Sequence, residues 1–122
     1  MTRLLVCGSR DFGEHGIVHA VLEGLTFAYD IECVMQGGAN GADSAAEFWT
    51  VGRKLDTVTF FADWERYGPA AGPLRNQRML DKGRPDLVVA FINKPLAESK
   101  GTKNMVGLAR DAGVKTIVVE VR

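Results

Sequence analysis

The sequence lacks the features that usually assign a chain to a functional class at once. Its 15 lysines and arginines balance its 15 aspartates and glutamates, so no net charge attracts it to nucleic acid or to a membrane surface. It has no apolar run long enough to span a membrane, and its first residues turn polar too soon for a signal peptide. We therefore expect a cytoplasmic protein that does not bind membranes, and the charge balance argues against nucleic acid as a partner.

Cysteine, histidine and the standard nucleotide-binding motifs are also scarce. The two cysteines, Cys7 and Cys33, lie within apolar runs and are predicted to be small, reduced core residues. His15 and His19 belong to no recognisable catalytic or metal-binding pattern, so we predict no metal site and no cofactor. The glycine-rich turn "QGGANGAD" is not followed by the Lys-Ser/Thr pair of a P-loop, and its GGxxG spacing differs from the dinucleotide-binding GxGxxG motif.

What the sequence does contain is an alternation of short apolar runs with helix-like stretches. The runs predict strands at residues 3–7, 31–36, 56–62, 86–92 and 115–121. Helical periodicity predicts helices over 16–28, 41–52 and 101–112, and another that starts at Pro73 and ends near Gly83. The stretch "DWERYGPAAG" before Pro73 is predicted to be a loop. This alternation favours parallel strands with right-handed crossovers. We expect one α/β domain over residues 1–122, a three-layer Rossmann-like sandwich with a five-stranded parallel sheet in the order 3-2-1-4-5.

The polar and glycine-rich segments follow the strands rather than precede them. "GSRDFG" follows the first strand, "GGANGAD" the second, "DWERYG" the third, and the loop leading to "GTKN" the fourth. The helix-to-strand connections are short turns with little chemistry. Because ligands of such sheets bind beyond the carboxyl ends of the strands, this asymmetry predicts a binding site at that edge.

The glycine-rich turn after the second strand is the first candidate for a phosphate site. Gly37, Gly38 and Gly41 suit a turn whose N–H groups point outward at the start of a helix, where a phosphate would be stabilised. Tight packing of a short turn is the alternative explanation. Asp43 either complements the helix dipole or accepts a hydrogen bond from a ribose hydroxyl, and we favour the second role.

Further candidates follow the first strand and open the last helix. Ser9 and Arg10 follow the first strand; Arg10 either clamps a phosphate in a bidentate manner or forms a surface ion pair with Asp11 or Glu14. Thr102, next to Gly101, either caps a helix or helps to hold a second phosphate oxygen.

The third strand and the helix after it supply the remaining candidates. Asp63 and Trp64 end that strand, and Trp64 either stacks on a base or covers the core. Arg75 and Asn76 open a helix whose N-terminus should lie near the crevice. An alternative role for Arg75, together with Arg78, is to brace the preceding loop.

Four segments taken in order, "CGSRDF", "QGGANGAD", "ADWERYGPAAGPLRNQRML" and "GTKNM", resemble the YspA/YpsA-related branch of the SLOG superfamily. These Rossmann-like domains occur in bacteria and many phages, and their wider relatives include DprA and the Lonely Guy phosphoribohydrolases. The resemblance implies a site for a nucleotide or nucleotide-derived ligand. The matching positions are Gly8, Ser9, Arg10, Gly37, Gly38, Gly41, Asp43, Gly101 and Thr102, whereas Asp63, Trp64, Arg75 and Asn76 match the signature of the branch itself.

The chain departs from the Lonely Guy enzymes at the position of their catalytic glutamate. Those enzymes resemble this chain around "GT" but carry a PGGxGTxxE pattern, and Met105 stands at its glutamate position here. A thioether cannot transfer a proton, so Asp43 and Asp63 are the candidate carboxylates, with Glu47 a further substitute.

Three functional hypotheses follow from these residues. The first is a module that senses or sequesters a nucleotide-like molecule, and the second is a hydrolase of a nucleotide N-glycosidic bond. The third is single-stranded DNA binding by analogy with DprA, against which the neutral charge argues. Exposed apolar helix faces are compatible with a homodimer, the commonest assembly of small soluble proteins.

Overall fold

Five parallel strands form the centre of the structure, a computed structural model that describes residues 1–122. They are β1 (Thr2–Gly8), β2 (Ile31–Gln36), β3 (Asp56–Thr59), β4 (Leu87–Ile92) and β5 (Lys115–Glu120). Their order in the sheet is β3-β2-β1-β4-β5 and every pair is parallel. The predicted fold class and strand order are therefore confirmed, and the order reverses between β1 and β4.

Helices cover both faces of this sheet. They are α1 (His15–Leu25), α2 (Ala42–Arg53), the one-turn α3 (Trp64–Tyr67), α4 (Ala71–Gly83) and α5 (Lys100–Asp111). None of them combines the length and the apolar character needed to cross a bilayer. Because consecutive strands are joined through helices, every strand runs in the same direction and all the strand-to-helix loops meet at one edge.

The side chains of β1 point alternately into two hydrophobic cores, one on each face of the sheet. Leu4 and Val6 point into the larger cluster, which α1 and α2 complete with residues such as Val18 and Ala46. Leu5 points to the other face, into a smaller cluster completed by α4 and α5. Successive residues of a strand face opposite sides, so a continuous apolar strand suits a sheet that is covered on both faces.

The smaller core is rich in sulfur. Met35, Met79 and Met105 are all buried in it, and the half-buried Cys7 packs against it. Cys33 is buried at 4% exposure, and neither cysteine forms a disulfide. The thiol of Cys7 is held in its neutral form because burial, aided by the charge of Asp43, raises its pKa above the ordinary range for a cysteine.

Several predicted boundaries differ from the structure. β3 ends at Thr59, and α1 ends at Leu25, where Thr26 turns back to donate its hydroxyl to the Glu23 carbonyl at 2.6 Å. The predicted loop "DWERYGPAAG" contains α3 and a 3-10 turn over Gly68–Ala70. Pro73 is the third residue of α4 rather than the first. Proline, which lacks an N–H, costs no helical hydrogen bond there either, because the first four N–H groups of a helix have no acceptor within it.

Gly41 lets the loop after β1 approach the N-terminus of α2. Its φ angle is +76°, and an added Cβ would meet the carbonyl oxygens of Ser9 and Arg10. The backbone of one loop thus packs directly on the backbone of the next. The absence of a side chain at Gly41 therefore permits the close contact between the loop after β1 and the loop after β2.

We expect Gly41→Ala to lower the free energy of unfolding by about 1–3 kcal/mol, because it combines an unfavourable φ with a backbone clash. Gly52→Ala is the matched control, since Gly52 lies in α2 with no atom near its added Cβ. That change should leave stability equal or raise it by up to about 1 kcal/mol. Urea unfolding of both variants provides the measurement, and similar losses at the two positions would contradict this interpretation.

Candidate functional site

A cavity of about 660 Å³ lies at the carboxyl edge of the sheet, beyond the ends of β1 and β4. Its lining comes mainly from the end of β1, from the loops after β1, β2 and β4, and from residues of α3, α4 and α5. This is the edge at which the sequence predicts a site. Ten of the thirteen candidate residues line it: Gly8, Ser9, Arg10, Gly37, Asp43, Trp64, Arg75, Asn76, Gly101 and Thr102.

The other three candidates lie outside the lining. Gly38, with φ +74°, packs against the side chain of Phe61, and Gly41 packs against the loop after β1. Asp63 is the N-cap of α3, where its carboxylate accepts the N–H of Arg66 at 3.1 Å. Each of these positions shapes a loop next to the cavity.

The glycine-rich turn directs its N–H groups inward. The N–H groups of Gly37 and Ala39 donate to Oδ2 of Asp43 at 3.1 and 3.2 Å, and that of Gly38 donates to Oε1 of Gln36 at 2.6 Å. These amides are therefore already satisfied by acidic and amide side chains. A ligand at this turn would have to compete with Asp43.

Asp43 is a buried carboxyl group that also lines the cavity. Burial raises its pKa to about 6, from an ordinary 3.8. The amides of Ala39 and Gly37 and the positive charges of Arg75 and Arg10 act in the opposite direction and offset only part of this effect. Its two hydrogen bonds use one carboxylate oxygen, and they fix the turn that precedes α2.

The raised pKa of Asp43 makes stability depend on pH. The folded state holds the proton more tightly than the unfolded chain, so this stabilisation is present below the unfolded pKa and is lost as pH rises through about 6. Relative to Asp43→Asn, the parent chain should therefore gain about 2 kcal/mol of unfolding free energy between pH 7 and pH 4.

Urea unfolding of both proteins across this pH range measures the difference. Glu47→Gln, on the exposed side of the same helix, controls for removing one negative charge from α2. A parent-to-Asn difference that stays constant from pH 7 to pH 4 would contradict the assignment of this titration to Asp43.

Arg75 and Asn76 tie two loops together from α4. Nη1 of Arg75 donates to the carbonyl of Gly37 at 2.8 Å, and its Nε donates to Oδ1 of Asn76 at 2.9 Å. Nδ2 of Asn76 then donates to the carbonyl of Gly101 at 3.2 Å and to Oδ1 of Asn104 at 2.9 Å. We call this chain of hydrogen bonds the Arg75–Asn76 brace. It fixes the loop after β2 relative to the N-terminus of α5.

Arg78 braces the segment before α4, which is the alternative role that the sequence analysis gives for Arg75 and Arg78. Its Nη2 donates to the carbonyl of Phe61 at 2.7 Å. Arg75 braces a different loop, the glycine-rich turn. Burial lowers the pKa of Arg75, and the carboxylate of Asp43 offsets part of that effect.

The N-terminus of α5 opens into the cavity without a side-chain cap. Ser99 occupies the N-cap position but makes no capping hydrogen bond. Lys100, Gly101 and Thr102 form the first turn and all line the cavity. Thr102 is the third helical residue, so it is not the N-cap. The N–H groups of such a turn have no acceptor within the helix, and they carry a partial positive charge.

Two serine hydroxyls at this site lack hydrogen-bond partners. Oγ of Ser9 and Oγ of Ser99 are both buried and unpaired, in residues that are 7% and 6% exposed. Both residues line the cavity. Ser99 and the neighbouring Lys94 and Lys100 were not among the residues predicted from the sequence. A serine just before a helix start is the signal that could have identified Ser99.

Arg10 lies over the indole ring of Trp64 rather than in an ion pair. Its guanidinium carbon is 5.2 Å from the ring centroid, and it forms no salt bridge with Asp11 or Glu14. Asp11 instead accepts a hydrogen bond from Asn93 at 3.2 Å. Trp64 is 47% exposed, so it lies at the side of the cavity and does not cover the core.

The charged groups around the cavity include more cations than anions. The cations are Arg10, Arg75, Lys94 and Lys100, and the carboxylates are Asp11, Asp43 and Glu98. The histidines lie elsewhere: His15 is exposed, and His19 contacts the carbonyl of Ala45 at 3.0 Å. No group of three or more His, Cys, Asp or Glu side chains is arranged to hold a metal ion.

Comparison with known proteins identifies relatives of this chain. The family model described as "YspA, cpYpsA-related SLOG family" matches residues 2–67, which extend from β1 to the end of α3. The chain is also similar to the Gene 61 protein of Mycobacterium phage D29. The two are 35% identical over 123 residues, an alignment that covers 96% of this chain and 95% of the phage protein.

Proposed function

The chain belongs to the YspA, cpYpsA-related SLOG family, and on this basis we propose that it binds a nucleotide or nucleotide-derived phosphorylated ligand in the cavity at the carboxyl edge of the sheet. Membership of the SLOG family suggests nucleotide-related ligand binding in general. The phosphate, in this proposal, lies at the N-terminus of α5.

Two unpaired buried hydroxyls in the cavity lining, that of Ser99 at the uncapped N-terminus of α5 and that of Ser9 after β1, are the observation that carries this proposal. A buried hydroxyl without a partner costs about 1–3 kcal/mol. A phosphate at the N-terminus of α5 would accept hydrogen bonds from Ser99 and from the first-turn N–H groups, and the helix dipole would stabilise its charge. The hydroxyl of Ser9 is a further donor in the same cavity lining. Groups that are costly to bury without a partner would thus stabilise the complex.

The remainder of the cavity suits the rest of a nucleotide. Its volume of about 660 Å³ falls within the range of roughly 300–1,000 Å³ that is typical of small-molecule sites. Lys94 and Lys100 are exposed in the cavity lining and add positive charge. Pro69 and Pro73 are exposed in the lining and supply an apolar surface against which a sugar or base can pack.

A binding role, as a sensor or sequestering module, accounts for these groups better than catalysis does. Met105, at the position of the Lonely Guy glutamate, is 1% exposed and lines the cavity without offering a proton donor or acceptor. Asp63 is engaged as a helix cap outside the cavity lining.

We further infer that residues 1–122 act as one domain, since both cores pack on the same sheet.

Ser99→Ala provides the test because a ligand-binding role and a structural role predict different results. Without ligand, the variant should melt at the same temperature as the parent or slightly higher, since an unpaired buried hydroxyl has been removed. With a saturating nucleotide, the parent should melt several degrees higher than without it, and this shift should be clearly smaller in the variant. Thermal unfolding with nucleoside monophosphates, diphosphates, dinucleotides and cyclic nucleotides provides the measurement.

Ser44→Ala is the matched control, because Ser44 is exposed on α2 and does not line the cavity. It should retain the full ligand-induced shift. The proposal is wrong if no member of the panel stabilises the parent chain.

A second candidate function, hydrolysis of a nucleotide N-glycosidic bond, is favoured by the state of Asp43. A carboxyl group with a pKa of about 6 that lines a cavity is suited to proton transfer near neutral pH. Its hydrogen bonds to Gly37 and Ala39 use only Oδ2, and Oδ1 makes no hydrogen bond within the protein.

For this candidate, incubation with nucleoside monophosphates should release free base, detected by chromatography. Release of base should change with pH around 6. It should be lost in Asp43→Asn and retained in Glu47→Gln, because Asp43 lines the cavity and Glu47 does not. Absence of released base across a broad panel at pH 5 to 8 would exclude this activity for those substrates.

A further inference from the structure

The guanidinium group of Arg10 makes one notable contact and leaves its N–H groups unused. It lies 5.2 Å from the ring centroid of Trp64. None of the hydrogen bonds or salt bridges within the protein involves its side chain. The residue is exposed and lines the cavity. A guanidinium that stacks on an aromatic face keeps its donors in the plane of the group, available to an oxyanion.

The position of Trp64 is in turn fixed by its own helix and by α4. It is the first residue of α3, whose preceding residue Asp63 caps the helix by accepting the N–H of Arg66. A Cβ added at Gly72 of α4 would lie 3.2 Å from Cη2 of the indole, so the ring edge packs closely on the α4 backbone. The indole is therefore a fixed surface beside the cavity.

We propose that Trp64 is a positioning residue for phosphate recognition: it holds Arg10 so that the guanidinium donors meet the ligand phosphate. This inference rests on the proposed function and adds the way in which the anion is bound. Stacking limits the rotamers that a long, exposed arginine would otherwise sample, so less conformational entropy is lost when the phosphate binds.

This role differs from the stacking of a base on Trp64. One face of the indole is covered by Arg10, and a base on that face would have to displace the guanidinium. If Trp64 acts through Arg10, its removal should weaken phosphate binding only while Arg10 is present. If Trp64 stacks on a base, its removal should weaken binding whether or not Arg10 is present, and a nucleoside without phosphate should show the same loss.

A double-mutant cycle separates these two roles. Binding of AMP, pyrophosphate and adenosine is measured by calorimetry for the parent chain, Arg10→Ala, Trp64→Leu and the double variant. Arg10→Ala should weaken AMP and pyrophosphate binding by about tenfold or more, as for a lost charge-assisted hydrogen bond. Trp64→Leu should weaken both by roughly two- to fivefold, and by no more than the error of measurement when Arg10 is already alanine. Trp64→Phe, which keeps an aromatic face, should retain most of the affinity.

The pair formed by Arg66 and Tyr67 is the matched control. Its guanidinium-to-ring distance is 5.1 Å, and it belongs to the same short helix without lining the cavity. Arg66→Ala and Tyr67→Leu should leave the affinity for all three probes unchanged, which separates a local effect on α3 from an effect on the anion.

Each outcome decides one of the two proposals or both. A further loss of affinity from Trp64→Leu in the Arg10→Ala background, or a loss with adenosine, would overturn the positioning role while nucleotide binding stands. AMP binding no tighter than pyrophosphate, with the coupling intact, would overturn the choice of a nucleotide and leave the positioning role in place. If neither anion binds the parent chain, both proposals are wrong.

Discussion

The hydrogen bond from Arg75 to the carbonyl of Gly37 is the contact on which the geometry of the cavity depends. It is 2.8 Å long, and the rest of the Arg75–Asn76 brace carries the constraint on to Gly101 at the start of α5. The loops after β2 and β4 belong to strands that are not neighbours in the sheet. The brace from α4 fixes these two loops relative to each other. Its hydrogen bonds already occupy Nη1 and Nε of the Arg75 guanidinium.

Much of the fold could be predicted from the sequence, because it follows from periodicity and burial. The continuous apolar strand "LVVAF" and the glycine-rich segments after successive strands are local signals, and together they indicate a parallel sheet with its chemistry at one edge. The sheet of the structure confirms the predicted strand order. The short helix α3 was missed because its stability comes from Asp63 capping a single turn and from the packing of Trp64 on Gly72, contacts that no periodicity reveals.

The site residues show a sharper limit of prediction from sequence. The glycine-rich turn has the composition of an anion-binding loop, yet its amides face Asp43 and Gln36. Composition records where a backbone can bend, whereas the direction of its N–H groups depends on which side chain folds back upon it. The groups that remain unpaired, the hydroxyls of Ser9 and Ser99, are identified only when every donor and acceptor has been followed to its partner.

The sulfur-rich core beneath the cavity has a consequence for the breadth of recognition. Met79 and Met105 belong both to that core and to the cavity lining. Thioether side chains are unbranched and polarizable, and they repack at little cost around partners of different outline. In the binding role proposed above, a floor of this kind would adjust to the apolar part of a ligand, whereas the Arg75–Asn76 brace holds the rim in one geometry. We therefore expect broad tolerance for the apolar part of the ligand and strict selection of its charged part.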